Sequence, residues 1–282
     1  MKSCELNNFL RPNLYNWSSS LTPLQRLDSS QHNFNMLDNK AFYKKVNNTR
    51  DFSTLFGTTE IAYFKSNYDF IGNFKNAAST NAKLHWMEDK TMDLVNAMIF
   101  NSLFRLQPSI QNKLHDFVTS KIPPGYRLVC AHVRMGRNPS FPSDTEIKQA
   151  IHDLPIVWDF LRNQTQLLGK TKLFFMSDSD EVVKMARGQD FGGDILVSPG
   201  PVVHVDKNAR STDEQKCRGF EKVIVDQQIL VKYCDVLLIS KSGLSRMAAY
   251  FRQTDRGLYC LMGNSIVKCQ TESLRSLYNV YG

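Results

Sequence analysis

From residue 127 onward, short apolar runs alternate with stretches of helical periodicity, and this alternation restricts the fold more than any other feature of the chain. The runs are Arg127–Val133, Lys172–Met176, Asp194–Val197, Val236–Ile239 and Gly257–Met262. Strands that are apolar along their whole length are covered on both faces. Between them, the spacing predicts helices over Ser143–Leu161 (broken at Pro155), Ser179–Ala186, Ser211–Tyr233 and Leu244–Phe251. Ser143-Asp144-Thr145-Glu146 and Ser211-Thr212-Asp213-Glu214 read as capping boxes. The pattern predicts an α/β fold with a Rossmann-like, doubly wound parallel sheet.

The preceding part is different in character. It is rich in Asn, Ser and Phe and irregular to about Thr80, after which Met92, Val95, Ile99, Leu103 and Leu106 fall near one helical face. Pro108 interrupts that pattern, and Ser109 is placed to cap a second helix carrying Ile110, Leu114 and Phe117. The breaker cluster Lys121-Ile122-Pro123-Pro124-Gly125 divides a smaller, less regular α/β half, residues 1–120, from residues 121–282.

The formal charge of +8 on 282 residues favours an anionic partner. Without a dense Lys/Arg block or an aromatic-interleaved basic stripe, nucleic acid is not expected. No apolar run approaches the ~18 residues that cross a bilayer, and the N-terminus has no signal-peptide core, so the chain reads as soluble and untargeted. Three glycosylation acceptor patterns, at Asn16, Asn47 and Asn163, point softly the other way. The six cysteines show no zinc spacing. Cys130 and Cys234 lie in or beside apolar runs and read as buried free thiols, whereas Cys260 and Cys269 are compatible with a bridge.

Polar groups gather where the strands end. The first run closes in His132-Val133-Arg134-Met135-Gly136-Arg137, in which Gly136 permits a sharp turn beside two guanidinium groups. Ser177 and Asp178 follow the second run, and Ser240-Lys241-Ser242-Gly243 follows the fourth. Ligands of open α/β sheets bind outside the carboxyl ends of the strands, so these residues read as a cradle for a phosphorylated ligand. Asp178-Ser179-Asp180 has two readings: a divalent-cation site of a metal-dependent, GT-A type glycosyltransferase, or a capped helix N-terminus. Gly169-Lys170-Thr171 lacks the first glycine of a P-loop, and Met247 replaces the second glycine of a nucleophile elbow at Gly243-Leu244-Ser245. His204 is a further candidate for lining a donor pocket.

Three segments in order resemble those of the fucosyltransferases that use GDP-fucose, nearest their α1,6 branch: His132 to Arg137, Phe174-Phe175-Met176-Ser177-Asp178, and Asp226 with Ser240 to Arg246. The resemblance covers roughly Arg127 to Arg252. It implies a GT-B fold, an inverting transfer of fucose to a glycan or glycoprotein hydroxyl without metal or other cofactor, and a place in the secretory pathway. It implies that Arg134 pairs with the β-phosphate and that His132 and Asp226 contact guanine. Ser242 and the Gly243 backbone would hold phosphate oxygens. Gly136, Arg137 and Lys241 are further candidates for binding the donor. Asp178 would stabilise the loop. For the base that deprotonates the acceptor the nearest carboxylates are Asp144 and Glu146, both inside a capping box. A non-catalytic nucleotide- or glycan-binding relative is the remaining alternative.

Overall fold

The computed structural model describes residues 4–17, 31–35, 41–42, 44–45, 61–65, 71–76, 82–136, 138, 140–141, 151–204 and 211–278. The chain divides into two compact units. One comprises Met1–Arg11 with Phe104–Leu274, the other Pro12–Leu103 with Arg275–Gly282.

The larger unit is built on a sheet of six strands: β1 (Arg127–Val133), β2 (Thr171–Ser177), β3 (Ile195–Leu196), β4 (Val236–Ile239), β5 (Leu258–Met262) and β6 (Ser265–Lys268). Their spatial order is β3-β2-β1-β4-β5-β6, the order of the dinucleotide-binding fold. Every pairing is parallel except that of β5 with β6. Asp235 helps set the central register. Its backbone N–H donates to Leu128 O at 2.8 Å, and its carboxylate accepts from the Leu128 N–H at 2.9 Å and from Arg127 at 2.6 Å.

Helices α1 (Pro108–Lys121), α2 (Leu154–Leu168), α3 (Asp180–Arg187), α4 (Asp213–Lys232) and α5 (Gly243–Arg252) surround the sheet. Residue alternation sorts the two faces. Val129, Ala131, Val133, Leu173, Phe175 and Leu238 are buried against Leu154, Val157, Trp158 and Leu161 of α2 and Val182 and Ala186 of α3. On the other face Phe174 meets Phe117 of α1 edge to face at 6.1 Å, and His132 meets Ser245 of α5.

Several local expectations change. Pro155 starts α2 rather than breaking a helix, because proline at the first helical positions loses no needed N–H. Pro108 opens α1 in the same way, with Gln107 and not Ser109 as the N-cap. Leu106 belongs to the short strand Phe104–Leu106, which pairs with Leu10–Pro12. The capping box of α4 lies one residue on from the expected one, between Thr212 and Gln215. The Ser143 capping box lies outside the described residues.

All six cysteines form disulfides, so the free thiols expected at Cys130 and Cys234 are corrected. Cys130 projects from β1 beside the turn into β4, where Cys234 sits with Cα atoms 5.8 Å apart. Cys4 is bridged to Cys217 on α4, and Cys260 to Cys269 across the β5–β6 hairpin.

In the smaller unit, Gln31–Asn35 and Ile61–Lys65 form a parallel strand pair. Met87 and Val95 are buried there among Ile71, Leu84 and Ile99. The helix Met92–Leu103 supplies Val95 and Ile99, as its periodicity predicts.

Candidate functional site

The strand order reverses between β1 and β4, and the crevice beyond their carboxyl ends holds a cavity of about 450 Å³. His132 and Arg134 reach it from the end of β1, Ser177 and Asp178 from the end of β2, and Asp226 from α4. Lys241, Ser242 and Gly243 reach it from the turn between β4 and α5. Residues separated by more than 100 positions in the chain thus line one space.

The loop after β1 is shaped by Asp178. Its carboxylate accepts from the backbone N–H of Met135 at 2.6 Å and of Gly136 at 2.9 Å, and pairs with the Arg134 guanidinium at 2.8 Å. Gly136 has φ 70°, a left-handed conformation that favours glycine, and it directs the chain away from the strand. The Arg134 N–H donates to Ser240 Oγ at 2.9 Å, tying this loop to the end of β4. With its side chain 22% exposed, Arg134 is held on one side and open to the cavity on the other.

This geometry gives Asp178-Ser179-Asp180 a structural role. Asp178 is buried and committed to three donors, Ser179 caps α3 by accepting from Val182 N–H at 3.4 Å, and Asp180 is exposed in the first helical turn. The three residues thus build a loop and a helix start. Among the described residues no cluster of three or more His, Cys, Asp or Glu is placed to hold a metal.

Ser242 is the N-cap residue of α5, yet its side chain does not cap the helix. The first-turn N–H groups, left without intrahelical partners, and the positive end of the helix dipole are suited to an anion. Lys241 adds a cation at the same rim. His132 is buried, with Nδ1 against Ser245 Oγ. Burial lowers its pKa to about 4, the Arg134 charge adds to that effect, and Asp178 opposes it. The ring is neutral at physiological pH.

Asp226 lines the cavity, but both of its carboxylate oxygens have internal donors, Ser198 Oγ and Lys222 Nζ. Burial pushes its pKa up, and the nearby Lys222 charge opposes the shift. Arg137 and Asp144 lie outside the described residues. His204 does line the cavity, its N–H donating to Ser140 Oγ at 2.7 Å. Sequence reasoning missed Lys222, Asn138 and the Pro201–Val203 wall. Only Lys222 carried a signal, standing four residues before Asp226 on a helical pattern.

A sheet of this order with a cationic, N–H-rich crevice at its switch point defines a nucleotide-binding type of α/β protein. No protein-family model matches the chain, nor does any curated protein. Solved structures do. The chain is similar to a NodZ alpha-1,6-fucosyltransferase soaked with GDP-fucose, with TM-score 0.55 and 12% identity over 95% of this chain and 84% of that one. It is similar also to fucosyltransferase NodZ from Bradyrhizobium, with TM-score 0.53 and 12% identity over 94% and 82% of the two chains. A variant of Arabidopsis thaliana FUT1 in complex with GDP matches with TM-score 0.50 and 11% identity, over 88% of this chain and 55% of that one. The chain thus shares a GT-B-like fold with solved fucosyltransferases, an α1,6 enzyme among them, which is the fold that the resemblance implied.

Proposed function

We propose that this protein is a glycosyltransferase that moves fucose from GDP-fucose to a hydroxyl of a glycan or glycoprotein, with inversion at the sugar carbon and without a metal. The observation that carries the reading is Arg134, oriented by Asp178 and lining one cavity together with the uncapped N-terminus of α5.

In the reaction the acceptor oxygen attacks the fucose C1, its proton passes to a base, and the bond from C1 to the β-phosphate oxygen breaks. Negative charge grows on the departing GDP, and a preorganised guanidinium is worth most where charge develops. Arg134 supplies that group. The Ser242 hydroxyl and the Gly243 N–H hold the phosphate oxygens, with Lys241 beside them; Gly136 and Arg137 are assigned to donor binding on the family resemblance. Neutral His132 and the Asp226 carboxyl face the guanine. Asp144 is assigned the proton-accepting role on the family resemblance, and residues 1–120 the acceptor side. With positive charge supplied by side chains and a helix terminus, the leaving diphosphate needs no cation. Three disulfides, with no free thiol, support folding in an oxidising compartment such as the secretory pathway.

The test is a thermal-shift comparison of GDP, UDP, ADP and NAD in excess EDTA, followed by transfer from radiolabelled GDP-fucose to glycoprotein acceptors. GDP alone is expected to stabilise the protein, and label is expected in the acceptor. Stabilisation by another nucleotide but not GDP, or transfer abolished by EDTA, refutes the proposal. GDP binding without transfer to any acceptor would favour the non-catalytic relative.

A further inference from the structure

The segment Ser198–His204, whose Pro201–His204 part walls the cavity, is fastened to α4 by a buried polar network in which Lys222 and Ser198 have been given no role so far. Lys222 is 7% exposed, and its ammonium donates to Ser198 O at 3.1 Å, Ser198 Oγ at 2.8 Å and Asp226 Oδ2 at 2.9 Å. These use all three of its protons. Ser198 Oγ in turn donates to Asp226 Oδ1. Each oxygen of Asp226 therefore carries one internal donor; the residue borders the cavity but is 0% exposed, so a base must press into the wall to reach a second acceptor position. A Cβ added at Gly219 would lie 2.2 Å from Val203 Cγ2, so the wall sits directly on the α4 backbone.

We propose that Lys222 is a positioning residue for base selectivity: it holds Asp226 as an oriented carboxylate whose remaining acceptor positions read the adjacent N1–H and N2–H donors of guanine. The inference rests on the donor-site reading given above. Burial alone drives Asp226 toward its protonated form, and Lys222 is the charge that opposes this. A protonated Asp226 would set a donor against guanine N1–H. An unfastened one would lose the paired alignment.

The experiment compares GDP with inosine diphosphate, which lacks the 2-amino group, by calorimetry on the wild-type protein, Lys222→Met and Ser198→Ala. Hydrogen bonds to charged groups set the scale, so the wild type is expected to favour GDP about ten-fold or more. Lys222→Met should bring the two nucleotides to within roughly two-fold of each other. Ser198→Ala should narrow the ratio partly, although Ser198 is not among the residues lining the cavity. A merely structural role would weaken both nucleotides in proportion and leave the ratio intact. An unchanged ratio in both variants, or a wild type that does not discriminate, overturns the proposal. Should Lys222→Met fail to fold, Ser198→Ala decides alone. A wild type that binds neither nucleotide overturns the donor-site reading and this inference with it.

Discussion

Asp178→Asn separates a loop-building carboxylate from a metal-binding one. The native carboxylate receives the Met135 and Gly136 N–H groups at 2.6 and 2.9 Å and the Arg134 guanidinium at 2.8 Å, all at a buried position. An asparagine in the same place retains one acceptor oxygen and turns its NH₂ toward a backbone donor. One charge-assisted hydrogen bond worth about 1.5–3 kcal/mol is lost, and a buried N–H left unpaired costs about 1–3 kcal/mol more. The expected destabilisation is therefore about 3–5 kcal/mol. For a unit of this size each kcal/mol moves the melting temperature by about 2–4 °C, so a fall of roughly 6–20 °C is expected. Arg134 also loses its orienting partner, so GDP should give a smaller thermal shift in the variant. The assay is differential scanning fluorimetry of both proteins, with and without GDP, in EDTA and in manganese. A variant that melts within about 1 °C of wild type in EDTA, yet loses activity that manganese restores, would refute the reasoning.

Arg134→Ala should leave the fold intact and lower kcat by about 10²–10³-fold, the usual cost of one transition-state charge stabiliser, as single-turnover transfer assays can read. His132 gives the protein an acid-sensitive component: its folded pKa of about 4 lies below the ordinary 6.5, so between these values the unfolded chain binds the extra proton. Stability is accordingly present above pH 6.5 and falls by about 3 kcal/mol as the pH drops to 4, a slope that urea denaturation should show and His132→Asn should flatten. Cys4→Ser opens a loop spanning 213 positions, and the chain-entropy relation puts the loss at about 5 kcal/mol, checked by calorimetric melting of the variant against the oxidised wild type. Gly219→Ala should push Val203 from the cavity wall and cost about 1–3 kcal/mol of stability, with weaker GDP binding in the same thermal-shift assay.

What the sequence made legible follows from the range over which each signal acts. The bounds of β1 and β4 were readable because a continuous apolar run closed by turn residues is a local signature, and the polar residues at their ends, which line the cavity, were readable as a group for the same reason. Pro155 was misread because proline breaks a helix interior yet suits its first turn, and only the placement of Asp153 as N-cap shows which applies. Cys130 and Cys234, 104 positions apart, meet only because β4 lies beside β1 in the strand order, which no local pattern contains. Lys222 and Asp226 show the same limit at the site. Four residues apart on α4, they have the spacing of an ordinary solvent-facing ion pair, a motif worth little on a surface. The fold instead turns that face of α4 inward and lays Ser198 across it, leaving Lys222 7% and Asp226 0% exposed. Removing one partner of such a buried pair strands the other charge without water, which is far costlier than losing a surface pair. The same two residue types at the same spacing thus pass from decoration to a fixed part of the cavity wall, and the difference is made by Ser198, 24 positions upstream of Lys222.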